Sequence, residues 1–172
     1  PEVTVGGKLA SQVSKAGLGY TFHRVVDGTE GEGTITVRAG LVDVAGNEGH
    51  GECTVVLDLT PPAFTFASVQ PALASTGTTV AITIDASEPL ATTPTLRVGS
   101  KPADLKSQSG LRYVFERRID GSEGEGTPEI RAWGRDLAGN RGSSTSRALT
   151  TDLTDPDFSA STLDPTIGCS GT

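Results

Sequence analysis

The stretch TTVAITIDASEPL, Thr78 to Leu90, sets Val80, Ile82 and Ile84 at alternate positions against Thr79, Ala81 and Thr83. Period two marks a β-strand with one buried face, because successive side chains leave the backbone on opposite sides. The same alternation returns in TLRVG (Leu96, Val98), LRYVFERRI (Leu111, Tyr113, Phe115) and EIRAWGRD (Ile130, Ala132). Clusters of Gly, Pro, Ser and Asp separate these runs and read as turns. With a first strand near Phe64 to Val69 and a last near Ser144 to Leu149, about six or seven strands are predicted. That density in about 90 residues fits an all-β, two-sheet sandwich. The 22 Gly and 10 Pro, with no Met, agree with short strands and many turns.

Outward from this stretch the chain repeats itself. Shifted by about 93 residues, Pro1 falls on Pro94, Val5 on Val98, Lys8 on Lys101, Tyr20 on Tyr113 and Phe22 on Phe115, and about half of the first 47 positions match. DGTEGEGT (Asp27 to Thr34) falls on DGSEGEGT (Asp120 to Thr127), and VDVAGNEG (Val42 to Gly49) on RDLAGNRG (Arg135 to Gly142). Past the AGN turn the register slips by one residue, so Asp58 matches Asp152, Pro62 matches Pro156 and Phe64 matches Phe158. The expected organisation is the later two-thirds of one repeat over 1–61, a complete repeat over 62–155, and the opening strand of a third over 156–172. The chain reads as a piece of a longer protein.

The order TPP, TVAITIDASEPL, TLRVGSKPA, YVFERRIDGSEGEGTPEIRAWGRDLAGNRG resembles the tandem bacterial Ig-like repeats of large secreted and cell-surface proteins, including adhesins and surface-layer-associated stalks. Its most specific pieces are Ser87 to Leu90, the acidic Gly-rich turn, the DxAGN turn and the DLTPP junction, Asp58 to Pro62. The chain departs from a uniform repeat at DLTDPD (Asp152 to Asp157) and at Trp133, where the first copy has Gly40. The resemblance implies an extracellular or cell-surface location on a bacterium. It also implies a mechanical role as stalk, spacer or filament-building module, with neighbouring repeats or copies of the chain as partners.

The net charge of −7 argues against nucleic acid as a partner, since phosphate binding needs clustered Lys and Arg. No apolar run reaches the roughly 18 residues of a membrane span. Only His23 and His50 are present, Glu116 replaces His23 in the second copy, and no nucleophile elbow, zinc-type His pair or phosphate loop appears. No catalytic residue and no cofactor-binding residue is assigned, and an enzyme is not expected.

The DxAGN segments have two readings. Asp43 and Asp136 can cap backbone amides of a stiff hairpin. Alternatively, Asp43 with Asn47, and Asp136 with Asn140, supply hard oxygens for Ca2+, with the junction residues Asp58 and Asp152 and the turn residue Glu88 completing a shell of about six to eight ligands. The acidic turns at Asp27 and Asp120 are either solvated corners or further calcium ligands. Cys53 and Cys169 are disulfide candidates, pairing within a parent chain, between chains through addition of one chain's tail to the next chain's head, or not at all. Trp133, Tyr113, Phe115, Tyr20 and Phe22 are expected inside. A surface glycan or protein held by loops at the end of a sandwich is the alternative partner, and that expected burial leaves few exposed aromatics for a sugar.

Overall fold

The structure, a computed structural model, describes residues 1–157. A first set of strands comprises β1 (Glu2–Val5), β2 (Lys8–Leu9), β3 (Ser11–Ala16), β4 (Gly19–His23), β5 (Gly33–Val42) and β6 (Glu48–Leu57). A second comprises β7 (Phe64–Gln70), β8 (Leu73–Ala74), β9 (Thr79–Ala86), β10 (Thr95–Val98), β11 (Lys101–Pro102) and β12 (Asp104–Ser109). It continues through β13 (Arg112–Arg118), β14 (Glu129–Arg135), β15 (Arg141–Ser143), β16 (Arg147–Ala148) and β17 (Thr150–Thr151). Among the described residues there is no helix, and no strand of one set pairs with a strand of the other.

In the second set, one sheet has the order β12-β13-β9-β7 and the other β11-β10-β14-β15, with β16 also on β14. Lettered A (β7), B (β9), C (β10), D (β12), E (β13), F (β14) and G (β15 with β16), these are the ABED and CFG sheets of an Ig-like sandwich. Period two aims Val80, Ile82, Ile84, Tyr113 and Phe115 from one sheet at Leu96, Val98, Ile130 and Ala132 from the other, and all of them are buried. Ile119 and Leu149, both fully buried, join the same core.

The first set repeats this pairing without strands A and B. Sheet β2-β1-β5-β6 matches β11-β10-β14-β15, and Val5 pairs with Val37 as Val98 pairs with Ile130. The β3–β4 hairpin matches β12–β13, with a register shift at Gln12/Ser14 where the second copy has one at Leu105/Ser107. Among the described residues nothing occupies the place that β9 and β7 hold beside β13. Tyr20 is therefore 37% exposed where Tyr113 is 3%, and Phe22 is only half-buried, so the expectation that both lie inside fails for want of a covering strand.

The one-residue slip in the repeat has a structural counterpart. In the first copy β5 pairs with β6 without interruption from Gly33↔Leu57 to Val42↔Glu48. In the second, Trp133 to Ile130 is three residues along β14, whereas their partners Ser143 and Arg147 are four apart. The extra residue bulges out. Ala132 N–H donates to Ser144 Oγ at 2.9 Å and Ser144 N–H to the Ala132 carbonyl at 2.8 Å, which holds the bulge.

Two further expectations are corrected. Leu111 precedes β13 at its turn and is 38% exposed, so it does not continue the face of Tyr113 and Phe115. Trp133 follows buried Ala132, and period two sends it to the outer face of the sheet, 37% exposed. No helix of the described residues is long and apolar enough to cross a membrane.

Candidate functional site at the junction

Residues Asp58 to Ala63 link the two units. Asp58 Oδ1 accepts from the Thr60 N–H at 3.2 Å, a local turn that starts the link. Thr60 Oγ1 donates to Glu32 at 2.7 Å, fixing the link to the acidic turn of the first unit. On the other side Ala63 and Ser87 exchange hydrogen bonds: Ala63 N–H donates to Ser87 Oγ, and Ser87 N–H to the Ala63 carbonyl, both at 2.9 Å. Pro62 is fully buried, and its carbonyl lies so close to Gly142 that a Cβ there would collide with it.

The AGN turn of the second unit closes over this link. Asp136 is 1% exposed, and its Oδ1 accepts from the amides of Gly139 (2.6 Å) and Asn140 (2.9 Å). Asn140 Nδ2 donates to Asp136 Oδ2 at 2.8 Å and to the Asp58 carbonyl at 3.0 Å, joining second unit to first. An isolated bridge between Leu90 and Asp136 sets the SEPL turn beside the AGN turn. Carboxylate oxygens of Asp58, Glu88 and Asp136 consequently lie within 4.8 Å of one another.

The electrostatics differ from residue to residue. Burial pushes the Asp136 carboxyl up, but the hydrogen bonds from Asn140 and the turn amides outweigh it and hold the group below the usual carboxylate range. Glu88 accepts no such set of amides. Burial and the neighbouring Asp58, Asp136 and Glu32 push its carboxyl above the ordinary value. An all-oxygen group of three carboxylates is the kind of donor set taken by a hard divalent cation, in contrast to the N/S sets of zinc.

The remaining candidates lie elsewhere. Asp43 and Asn47 make their own closed turn, with Asp43 accepting from the Ala45 and Asn47 amides at 2.8 Å and from Asn47 Nδ2 at 2.9 Å. They sit at the opposite end of β5 from Asp58, about 30 Å away at the usual rise per strand residue. The Asp that meets Asp58 thus belongs to the following unit, not to its own. Asp152 repeats the Asp58 turn at the far end of the second unit, its Oδ1 accepting from the Thr154 N–H at 3.3 Å. Cys53 is exposed on β6, while Cys169 and the third opening strand beyond residue 157 lie outside the described residues.

The acidic Gly-rich turns are internally committed. Glu123, its side chain fully buried, accepts from Arg117 Nε at 2.5 Å and from the Asp120 N–H at 3.2 Å, while Arg117 also reaches Asp120 at 2.7 Å. Arg24, Asp27 and Glu30 do the same in the first copy. The hydroxyl and amide of Ser122 hold the Asp120 carboxyl down to about 2. Glu125 accepts from the Leu153 N–H at 2.8 Å, much as Glu32 accepts from Thr60, so each turn also grips the link after its own unit. Arg24 and Arg117 stand at equivalent places in the repeat, the one signal by which this pairing was legible in advance.

No family model matches the chain. No curated protein matches it. Among solved structures it is similar to one from a 1.5-MDa bacterial ice-binding adhesin, at 17% identity over 89% of this chain and 52% of that one, with a TM-score of 0.39. An I-band fragment of titin is similar at 15% identity over 87% of this chain and 54% of that one, TM-score 0.40. So is the Bacteroides ovatus surface protein SGBP-B of a mixed-linkage glucan utilization locus, solved with a heptasaccharide, at 17% identity over 87% of this chain and 36% of that one, TM-score 0.31. The chain spans about half the length of the adhesin and titin structures. The Ig-like assignment rests on the strand order itself.

Proposed function

We propose that this chain is a non-catalytic spacer from a tandem Ig-like array of an extracellular or cell-surface bacterial protein, and that its junction binds Ca2+ to stiffen one repeat against the next. The observation that carries the reading is the assembly of Asp58 from the link, Glu88 from the SEPL turn and Asp136 from the AGN turn into one carboxylate group. Three like charges this close repel, and a divalent cation converts the repulsion into a bridge between units. Asp136 and Asn140 hold the turn, Asp58 supplies the ligand from the neighbouring repeat, and Glu88, the carboxyl least stabilised as an anion, gains most from the cation.

The test places one label on β3 and one on β12 and measures the distance distribution between them with chelator and with Ca2+. The expected result is a narrower distribution with Ca2+, together with a rise in stability of about 2.7 kcal/mol at a hundredfold excess over Kd. Asp136→Asn abolishes both changes. An unchanged distribution and unchanged melting on adding Ca2+ would sink the cation reading and leave the junction held by hydrogen bonds alone.

Filament building, in which one chain's tail adds to the next chain's head, is the second reading, and it rests on the match of the tail to the opening strand of the second unit. Residues 158–172 align with Phe64 to Thr78, which contain β7, whereas the strand directly beside β13 is β9. Native mass under non-reducing conditions, with and without reduction, distinguishes a ladder of chains from a single species.

A further inference from the structure

The inner face of the CFG sheet is kept between the two units, but its outer face is rebuilt. The registers place Thr4, Gly40, Val42 and Glu48 of the first unit where the second has Arg97, Trp133, Arg135 and Arg141. A side chain the fold needs recurs in both copies, as the Arg24/Arg117 pairing does; these four do not. The replacements remove a carboxylate and add three guanidinium groups and the chain's one Trp, in a protein of net charge −7.

Trp133, Arg135 and Arg141 line an open cleft of about 490 Å3, within the roughly 300–1,000 Å3 usual for small-ligand sites, and Arg97 lies outside its lining. Trp133 stands on one side. Arg97, one row away on the sheet, lies 5.7 Å from its ring centroid and steadies the indole from the side away from the Arg135–Arg141 row. Arg135 and Arg141 form the other side, paired across β14 and β15, and hydroxyls of Thr93, Thr95 and Ser143 complete the lining, which contains no carboxylate. Arg135 Nη1 donates to the Gly139 carbonyl at 2.9 Å, which holds one arm of an otherwise exposed side chain. The nearest acidic residue on this face of β14, Glu129, is engaged with Arg131 at 2.9 Å.

We propose that this cleft binds an anionic saccharide, a pyranose bearing a carboxylate. The indole offers an apolar plate to the C–H face of the sugar ring. The two guanidinium forks match the planar carboxylate, and the threonine and serine hydroxyls meet sugar hydroxyls. An extended polyanion such as nucleic acid is disfavoured by the acidic remainder of the surface and by the carboxylates of the adjoining junction. The site lies on a sheet face rather than on end loops, and it is independent of the spacer reading.

The chain has a single Trp, so its intrinsic fluorescence reports from the cleft itself. The experiment titrates the intact chain, in chelator so that no metal bridges carboxylates, with a tetrameric oligogalacturonate, with neutral maltotetraose and with polyglutamate of equal charge. A saturable change with oligogalacturonate alone is expected. Arg141→Glu, which restores the first unit's residue, weakens binding about tenfold or more, and Trp133→Ala abolishes the heat of binding while leaving melting unchanged. Should Arg141→Glu melt differently, Arg135→Ala carries the same test. The proposal is overturned by no saturable response to oligogalacturonate, by equal affinity for maltotetraose or polyglutamate, or by undiminished binding in the properly folded arginine variants.

Discussion

Asn140 donates from one side-chain nitrogen both to Asp136 of its own turn and to the backbone carbonyl of Asp58 in the preceding link, at 2.8 and 3.0 Å. Its counterpart Asn47 makes only the first of these bonds. In the second unit the turn asparagine therefore joins its own turn to the preceding link. Asn140→Ala is expected to cost about 1–2 kcal/mol, the range for a lost hydrogen bond that strands a partly buried acceptor. It should also broaden the distance between units, whereas Asn47→Ala leaves that distance unchanged; pulsed dipolar spectroscopy on labelled chains reads both.

Gly142 and Gly49 form a second matched pair. A Cβ at Gly142 runs into the Pro62 backbone, while one at Gly49 meets only Leu41 carbons at ordinary contact, 3.6 Å. Gly142→Ala should destabilise the second unit by about 1–3 kcal/mol through overpacking. Gly49→Ala should fall within about 0.5 kcal/mol of the parent. Equal effects in a denaturant titration would refute the close approach.

The raised Glu88 carboxyl makes a pH prediction of unusual sign. A carboxyl whose folded pKa lies above its unfolded value favours folding most below the unfolded value, near 4.5, and that contribution is lost as pH rises through the folded value. At neutral pH without a cation, charged Glu88 is therefore a burden, and Glu88→Gln should raise Tm there but not at pH about 4. Asp136 and Asp43 behave oppositely: both are held low, so their contribution is present above 3.8 and fades as pH falls through their folded values. Thermal melts of the parent and Glu88→Gln in chelator across this range decide the matter.

Phe115 is 2% exposed between the sheets, and Phe22, its repeat partner, is half-buried on an uncovered hairpin. Phe115→Ala should cost about 3–5 kcal/mol, and Phe22→Ala under about 1 kcal/mol. Comparable losses in chemical denaturation would mean that the first unit is covered after all.

The Arg117–Glu123 pair is the anchor of the acidic turn. Glu123→Ala leaves the Asp120 amide without its acceptor and frees the guanidinium, at an expected cost of about 1–3 kcal/mol. Faster amide exchange at Asp120 to Glu125, and at Leu153 beyond it, should accompany the loss. Protection unchanged at Leu153 would separate the turn from the link.

Much of the architecture was legible in one dimension, because strand alternation and the repeat are local or strictly periodic signals. Val80, Ile82 and Ile84 face inward because period two leaves them no other choice on a sheet with one buried side, and the slip after the AGN turn already implied an extra residue in the last strand. For Trp133, size suggests burial, but the period read from Ile130 and Ala132 points it outward, and it is exposed. Asp58, Glu88 and Asp136 stand among the seven candidate cation ligands of the sequence, but which of the seven meet is not readable there: Asp58 is nearer in sequence to Asp43 than to Asp136 and meets the latter.

What the sequence by itself determined is therefore the strand set, the inward faces and the equivalence of the two units, since these follow from side-chain alternation and self-similarity. Only the tertiary structure decided that Asp58, Glu88 and Asp136 converge, that Glu32 and Glu125 grip the links, and that Trp133 borders a basic cleft. Those relationships depend on how one unit's end meets the next and on which strands lie side by side across a sheet. Chain separation does not encode such distances, because strands far apart in sequence become neighbours only when the sandwich closes.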